Sequence, residues 1–366
     1  MYVRGDLHVC PNPLSFDPYS ICEWDCKYCW IKEMYHTVMR RKASQGVKPF
    51  KAESLARVLK KAFSNEITND PVVACLRAGL PVLIGRKCEP FGPSEKSYGA
   101  TRRALRMLSD YGVAAVVETK GVEGVVSTVT RFEKVGVLVS VTPGPDPLHD
   151  RLEPGTPSFT DRFRMARELS EAGIWVGLTA EPIIPSVNDS DEYFKDYARR
   201  AKEAGVKHVN FGGYRFHNVK IAYRRMMEAG VDLLRVAEAA KGWRERGLSF
   251  MRFMREEGLP VSSPEWDSFY AYNSCFSCCG LDHLGYHKLN FQYALKLLRE
   301  KGIVRFRDVV QHNIFGKQFE ERFREIWNGK PGYFSLSDAR GVVKVGLDDE
   351  GNAVFQLKGG MVGFER

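Results

Sequence analysis

Between residues 70 and 215, short apolar runs alternate with amphipathic stretches of helical periodicity, and the unit recurs about every 30 residues. Such alternation predicts right-handed strand–helix–strand units and a parallel sheet. With a further strand leading into a cysteine-rich loop near residue 22, the chain holds about six repeats, too few for a closed eight-fold barrel. We therefore predict an α/β fold built as an open, partial (β/α)6 barrel. The predicted strands are 81–87, 114–120, 135–142, 175–184 and 207–214.

The pattern changes after residue 215. A long helical region leads to a second cysteine-rich segment, and the chain closes with two alternating runs around a D-D-E-G-N turn, which predict a β-hairpin. We expect residues 1–215 to form the barrel and residues 216–366 to form a C-terminal α+β extension. In a barrel of this type, functional residues lie at the C-terminal ends of the strands.

Composition narrows the class of protein. The nine cysteines are odd in number and clustered, which favours metal or redox chemistry in a reducing compartment over a disulfide framework. No run approaches the roughly 18 apolar residues of a membrane span, and the first residues show no signal pattern. We expect a cytoplasmic protein with no membrane partner. The net charge of +9 favours an acidic partner, with nucleic acid as the first candidate.

Three cysteines lie within eight positions, spaced C-x3-C-x2-C, at Cys22, Cys26 and Cys29. An iron–sulfur cubane has four irons, and cysteine thiolate is the usual outer ligand of each. A loop that supplies three thiolates leaves one iron open for a substrate or cofactor. The alternatives are a zinc site with a distant fourth ligand, or three unrelated thiols.

The spacing, with the aromatic Tyr28 before the last cysteine, resembles the signature of the radical S-adenosylmethionine (SAM) superfamily. The resemblance implies a TIM-like partial barrel and a 4Fe–4S cluster held by Cys22, Cys26 and Cys29, with SAM on the open iron. It also implies an electron donor such as flavodoxin or ferredoxin. Reductive cleavage of SAM then yields a 5′-deoxyadenosyl radical, which abstracts hydrogen from a substrate.

Blocks between about residues 10 and 215 resemble, in order and spacing, the branch of this superfamily that contains spore photoproduct lyase. They include CEPFGPSEKSYG, ETKG, LVSVT, RLEPGTPSF and LTAEPIIPSVND. The resemblance implies that Lys120 lies near the SAM carboxylate, that Ser140 hydrogen-bonds SAM with Thr142 on the same strand face, and that Glu89 meets the SAM amino group. Backbone groups of Ala180 and Glu181 would reach the adenine. Each residue taken singly has a plainer interpretation as a strand-end polar group.

Cys88 and Tyr28 are the candidate catalytic residues. Cys88 lies near the place where the lyase branch carries a hydrogen-donating cysteine, and Tyr28 would relay the hydrogen atom. Trp30 stands where the lyase has a second tyrosine, and indole is a poorer hydrogen-atom donor than phenol. A buried structural cysteine is the alternative for Cys88.

The second cysteine group contains Cys275, Cys278 and Cys279, followed by His283 and His287. We considered an auxiliary iron–sulfur cluster, with Cys10 as a further ligand, a zinc site that uses the histidines, and no metal at all. The spore photoproduct lyase branch has no such group.

The substrate is less constrained by the sequence than the mechanism is. Basic pairs at 40–42, 102–103, 199–200 and 224–225, with Arg252 and Arg255, would suit a phosphate track, and the aromatic stretch 266–273 would suit base stacking. Our leading hypothesis is hydrogen abstraction from a nucleobase in DNA, as photoproduct-lyase-like repair or thymine-base modification. The alternatives are a peptide or small metabolite as substrate, and a non-catalytic, metal-stabilised nucleic-acid-binding protein.

Overall fold

The computed structural model describes residues 1–4, 7–265, 268–269 and 272–358. Its main element is an eight-stranded sheet in the order β1-β2-β3-β4-β5-β6-β7-β8. Strand β1 pairs antiparallel with β2, and every later neighbour is parallel. The strands are β1 (Tyr2–Val3), β2 (Leu14–Phe16), β3 (Val82–Ile84), β4 (Ala115–Thr119), β5 (Val135–Ser140), β6 (Trp175–Ile183), β7 (His208–Gly213) and β8 (Val261–Ser262).

Helices fill the crossovers between the parallel strands. The helices that end at Asp110, Glu171 and Glu203 stop two residues before Gly112, Gly173 and Gly205, whose positive φ closes each helix. The helices of the barrel are α1 (Trp30–Met34), α2 (His36–Ala43), α3 (Ala52–Ala62), α4 (Pro71–Arg77), α5 (Ser94–Tyr98), α6 (Ala100–Asp110), α7 (Val125–Val129), α8 (Asp146–Leu152), α9 (Phe159–Glu171), α10 (Asp191–Glu203), α11 (Val219–Glu228), α12 (Leu233–Ala239) and α13 (Trp243–Glu256).

The two faces of the sheet bury different side chains, as the two-residue period of a strand requires. Val117, Val139, Leu178 and Phe211 belong to the large core between the sheet and the helices. Alternate residues on the same strands face inward, where Leu83, Val116 and Leu138 form a smaller apolar cluster. The prediction of a partial α/β barrel is confirmed: six parallel pairings join β2 to β8, and the sheet does not close on itself within the described residues.

The second cysteine-rich segment packs against the end of the barrel where the N-terminal ends of the strands lie. Leu281 joins the inward cluster of Leu83, Val116 and Leu138, and Leu284 and Cys279 pack against it. Gly280 has a φ of +69°, and a Cβ there would lie 2.4 Å from the ring of His208 on β7. The segment is therefore a plug that fits against the N-terminal ends of the strands.

The division of the chain at residue 215 stays a prediction, and the sheet itself continues to Ser262. Beyond it, residues 289–355 build a separate core around Trp327 and a three-stranded sheet in the order β10-β11-β9. The alternating runs near the C terminus form its antiparallel hairpin. The elements here are α14 (Phe291–Lys301), β9 (Ile303–Val304), α15 (Phe306–Val310), α16 (Lys317–Trp327), β10 (Val342–Leu347) and β11 (Ala353–Leu357). No helix in the described part of the chain is long and apolar enough to cross a membrane.

Candidate functional site

The three-cysteine loop follows β2 and lies at the C-terminal ends of the strands. Cys29 is the N-cap residue of α1, and Cys26 packs with Tyr28 in a buried cluster that includes Leu152. The backbone N–H of Lys27 donates to the carbonyl of Leu152 at 2.7 Å. From α11, the Arg225 guanidinium donates to the carbonyls of Cys26 at 2.7 Å and Lys27 at 3.2 Å. Two separate elements thus hold the loop in place.

The three thiols lie close enough to influence one another electrostatically. Burial, with Glu89 and Cys29 nearby, raises the pKa of Cys22 to about 12. Burial, with Glu153 nearby, raises the pKa of Cys26 well above its ordinary value. Thiols that resist ionisation in each other's presence need a cationic centre to become thiolate ligands. No three His, Cys, Asp or Glu side chains among the described residues converge on a single metal ion. A cubane instead spreads its thiolates over separate irons, so the donor set fits a 4Fe–4S cluster.

Lys120, beyond the end of β4, faces the cysteine loop from the inner side of the sheet. Its ammonium donates to Ser140 Oγ at 2.7 Å and to the Tyr28 hydroxyl at 3.2 Å, and it lies 3.5 Å from a carboxylate oxygen of Glu153. The structure therefore brings Lys120, Ser140 and Tyr28 together. A cation held over two hydroxyl groups at the mouth of the barrel can receive a carboxylate ligand.

Glu153 is the centre of this network, and our sequence analysis did not single it out. Its side chain is fully buried, pairs with Arg162 at 2.5 Å and accepts the hydrogen bond of the Tyr28 hydroxyl. Burial alone raises the pKa of Glu153, but Arg162, Lys120 and His149 outweigh burial and hold it well below its usual range. Glu153 lies in the RLEPG block on which the resemblance rests. That block marks the segment as part of the site, but the sequence alone does not show that this carboxylate pairs with Arg162.

The Glu89 side chain contacts residues at the C-terminal end of β4. Its carboxylate accepts hydrogen bonds from the Thr119 hydroxyl, from the backbone N–H of Lys120 at 3.0 Å and from that of Phe91 at 2.9 Å. Burial nevertheless raises the pKa of Glu89. The carboxylate lies beside Cys22 and Lys120, at the same end of the strands as the cysteine loop.

Thr142 is buried, and its carbonyl lies 2.9 Å from Nε2 of His149. Ala180 is completely buried in the outer core, so its methyl group points away from the barrel interior. The Glu181 side chain points inward and accepts a hydrogen bond from Asn210 Nδ2 at 3.0 Å. Glu181 therefore belongs to the barrel interior as well as to the strand end.

Cys88 and Tyr28 lie in different buried clusters. Cys88 packs with Tyr19 and Ala100, and its thiol donates a long hydrogen bond to Asp17 at 3.8 Å. Tyr28 packs beside Cys26, with its hydroxyl group on Glu153. Both are buried, and both lie close to cysteines of the loop. The hydrogen relay between them stays a prediction.

In the second cysteine group, the sulfurs of Cys278 and Cys279 lie 3.9 Å apart. Nε2 of His287 lies 2.8 Å from the carbonyl of Cys10, and its Nδ1 is buried with no hydrogen-bond partner among the described residues. His283 packs against the ring of Trp175 instead. A second metal site stays a prediction, and the contacts of the two histidines do not favour the zinc arrangement.

The predicted substrate-binding residues are dispersed. Phe269 of the aromatic stretch 266–273 is buried against Trp243, so it cannot stack on a base, while residues 266, 267, 270 and 271 lie outside the described part. Arg199 is engaged by Asp196 and Glu203 on its own helix. Arg40 and Arg41 lie on exposed turns of α2, a helix with no acidic residue.

Comparison with known sequences identifies distant relatives that cover part of the chain. No protein-family model matches the chain. Uncharacterized proteins of Mycobacterium tuberculosis and Mycobacterium bovis are 24% identical over 137 residues, which is 36% of this chain and 40% of theirs. The chain thus spans less than half the length of these curated relatives.

A spore photoproduct lyase variant, solved with bound AdoMet and a dinucleoside spore photoproduct, superposes with a TM-score of 0.51. It is 17% identical, and the match covers 72% of this chain and 80% of that one. A second lyase variant gives a TM-score of 0.50 at 16% identity. At this level of identity the likeness concerns the fold alone. The chain has the partial-barrel fold of these spore photoproduct lyase structures.

Proposed function

We propose that the protein is a radical SAM enzyme that abstracts hydrogen from a nucleobase in DNA. The observation that carries the proposal is the position of the three-cysteine loop, whose spacing matches the superfamily signature, opposite the ammonium of Lys120 at the C-terminal ends of the strands. The solved lyase variant holds AdoMet and a dinucleoside substrate in the same fold, which supports this assignment.

When reduced by a donor such as flavodoxin or ferredoxin, a 4Fe–4S cluster with SAM on its open iron supplies a 5′-deoxyadenosyl radical. Cys22, Cys26 and Cys29 would hold the cluster. Lys120 provides a cation for the SAM carboxylate, Ser140 orients that lysine, and Glu89 offers a carboxylate for the SAM amino group. Glu153 and Arg162 fix Lys120 and Tyr28 from behind. Cys88 is the candidate hydrogen-atom donor to a substrate or product radical, and Tyr28 is the candidate relay of the hydrogen atom that regenerates SAM.

The surface around the cysteine loop supports a nucleic-acid substrate. Trp30 and Tyr35 are exposed on the segment that follows Cys29, and Tyr223 is exposed on α11. His36 and Arg224 join α2 to α11 at 3.2 Å. Exposed aromatic rings beside basic groups provide stacking surfaces and phosphate contacts for a strand whose base enters the site.

The test is anaerobic reconstitution followed by addition of SAM and dithionite, with 5′-deoxyadenosine as the product measured. We expect about four irons per chain and product formation for the wild type. Cys22→Ala should lose both the reconstituted cluster and the product. The control Cys75→Ala removes a cysteine buried in the outer core and should keep both. Product formation by Cys22→Ala at the wild-type rate would refute the assignment.

DNA binding is tested separately by the salt dependence of affinity for a short single-stranded oligonucleotide. Each lost phosphate contact reduces the slope of log affinity against log salt by roughly 0.7 for single strands. We expect Arg41→Ala to reduce it by about that amount. The control Arg199→Ala, whose guanidinium is already engaged by Asp196 and Glu203, should leave it unchanged. An affinity insensitive to salt would argue against DNA.

A further inference from the structure

Below the cysteine loop, the inner face of the barrel carries a layer of polar side chains that the proposed SAM site does not use. The layer lies above the apolar cluster of Leu83, Val116 and Leu138, and it includes Glu118 on β4, Glu181 on β6 and Asn210 on β7. Arg86 follows β3 and lies 3.7 Å from Glu118. We name this layer the inner polar chamber.

Two buried polar atoms of the chamber have no hydrogen-bond partner among the residues that the structure describes. Asn210 is 6% exposed, and it donates through Nδ2 to Glu181 while Oδ1 has no partner. Thr179, opposite Asn210 in the β6–β7 register, is 3% exposed, and its hydroxyl group has no partner. Buried polar atoms are normally hydrogen-bonded, and leaving one unpaired destabilises the folded protein. A ligand that reaches this layer would satisfy them.

The chamber contains more acceptors than donors. Glu118 and Glu181 bring two carboxylates and Asn210 brings an amide oxygen, all of which accept, while the Thr179 hydroxyl group can accept or donate and Arg86 is the cation beside Glu118. Glu265 is nearby, but its carboxylate is satisfied by the backbone N–H of Gly213 at 2.6 Å and the indole N–H of Trp243 at 2.8 Å. An incoming group therefore has to supply N–H donors, with one acceptor at most for Arg86.

Among nucleobases, this requirement separates those with an exocyclic amino group from thymine. Adenine, cytosine and guanine present an NH2 group that a carboxylate or an amide oxygen accepts. Thymine presents two carbonyl oxygens and one ring N–H, which would leave the carboxylates opposed to acceptors. Such a mismatch between buried polar groups costs far more than a missing methylene group does.

We propose that the inner polar chamber, through Glu118, Glu181 and Asn210, binds the amino-bearing edge of an adenine, cytosine or guanine. The inference rests on the proposed nucleobase substrate and narrows it, away from the thymine photoproduct to which our sequence comparison pointed. Glu118 and Asn210 are then specificity-determining residues of the base pocket.

The experiment measures equilibrium binding to cluster-reconstituted protein with SAM and without reductant, so that no turnover occurs. The probes are short oligothymidylates with one central base, in pairs that differ only by the amino group: guanine and hypoxanthine, adenine and purine, cytosine and 2-pyrimidinone. We expect at least one amino-bearing member to bind roughly 10-fold tighter than its partner. The phosphate backbone is identical within each pair, so the outer surface contributes equally.

Glu118→Gln and Asn210→Ala should each abolish that difference. The control Glu123→Gln, whose carboxylate is exposed and paired with Lys96 at 2.8 Å, should keep it. Urea midpoints of all variants check that each one folds. Equal binding within every pair would overturn the proposal, as would no oligonucleotide binding, or tighter binding of a lysine-rich peptide that depends on Glu118.

Formation of 5′-deoxyadenosine without any oligonucleotide is assayed on the same preparation. If SAM is cleaved while no pair is discriminated, the chamber proposal fails and the enzyme assignment stands. If SAM is not cleaved, the enzyme assignment fails whatever the probes do.

Discussion

Glu118 and Lys120 lie two residues apart on the inner side of the same strand end, yet their surroundings differ in how completely charges and polar groups are paired. Around Lys120 the charges are matched: Glu153 accepts from Tyr28 and pairs with Arg162 and Lys120. Around Glu118, Arg86 lies at 3.7 Å, and the buried oxygens of Thr179 and Asn210 have no partner within the described part of the chain. The network around Lys120 therefore satisfies its own charges, whereas the chamber offers polar atoms that the proposed ligand would satisfy.

The largest effect should come from breaking the matched region. Glu153→Gln leaves Arg162 buried without its carboxylate and should lower the free energy of unfolding by about 3–5 kcal/mol, measured by denaturant titration of the apoprotein. The control Glu168→Gln removes a half-exposed carboxylate 3.9 Å from Arg164 and should change it by less than about 0.5 kcal/mol. Equal effects of the two variants would mean that the network does not hold the site.

The floor of the chamber can be disturbed without touching a charge. Gly280→Ala places a Cβ against the ring of His208, whereas Gly258→Ala meets the same backbone strain, at a φ of +77°, in open space. We expect Gly280→Ala to cost about 1–3 kcal/mol more than Gly258→Ala in denaturant titrations. Equal costs would show that the second cysteine segment does not pack inside the barrel.

A smaller change in the free energy of unfolding, in the stabilising direction, is expected for Glu181→Gln inside the chamber. Burial raises the pKa of Glu181, and the nearby carboxylates of Glu118 and Glu265 act in the same direction despite Arg86. Ionisation of Glu181 is therefore less favourable in the folded protein than in the unfolded chain, and at neutral pH Glu181→Gln should stabilise the protein by on the order of 1 kcal/mol. The matched variant Glu265→Gln disturbs two good hydrogen bonds and should destabilise the protein by about 1–3 kcal/mol.

The smallest expected effect is the pH dependence of the stability changes that Glu153→Gln and Glu181→Gln cause. The pKa of Glu153 is lowered on folding, so its stabilising contribution is present above the ordinary value of 4.5 and is lost as the pH falls. The pKa of Glu181 is raised, so its unfavourable contribution appears as the pH rises above the ordinary value of 4.5 and is complete above the folded value. Between about pH 7 and about pH 4, the loss caused by Glu153→Gln and the gain caused by Glu181→Gln should both shrink. A gain for Glu181→Gln that grows on acidification would contradict the chamber electrostatics.

The sequence predicted the features that depend on local pattern. The alternation of apolar runs with helical stretches predicted the parallel sheet, and the cysteine spacing predicted a cluster-binding loop, because each signal lies within a short segment of the chain. The Glu153–Arg162 pair could not be predicted, since it depends on how the turn between α8 and α9 returns to the sheet. The packing of the second cysteine-rich segment against the barrel could not be predicted either. Leu281 lies in one cluster with Leu83 and Val116, more than 160 residues earlier in the chain, and no periodicity encodes such a contact.

His287 shows what spacing alone leaves open. Its spacing from Cys278 and His283 suits a metal ligand, but Nε2 of its imidazole lies 2.8 Å from the carbonyl of Cys10. Ala180 lies at the expected strand end with its side chain in the outer core, so a ligand could reach only its backbone, as the resemblance implies. The direction of a side chain depends on the folded structure and cannot be predicted from spacing in the sequence.

The central claim is that the loop of Cys22, Cys26 and Cys29 leaves one iron of a cluster open and that SAM binds there. Electron paramagnetic resonance of the reduced, reconstituted protein tests it directly, before any substrate is known. We predict a 4Fe–4S signal whose g values change when SAM is added, in the wild type and in Cys75→Ala. A cluster signal that is unchanged by saturating SAM would contradict the claim.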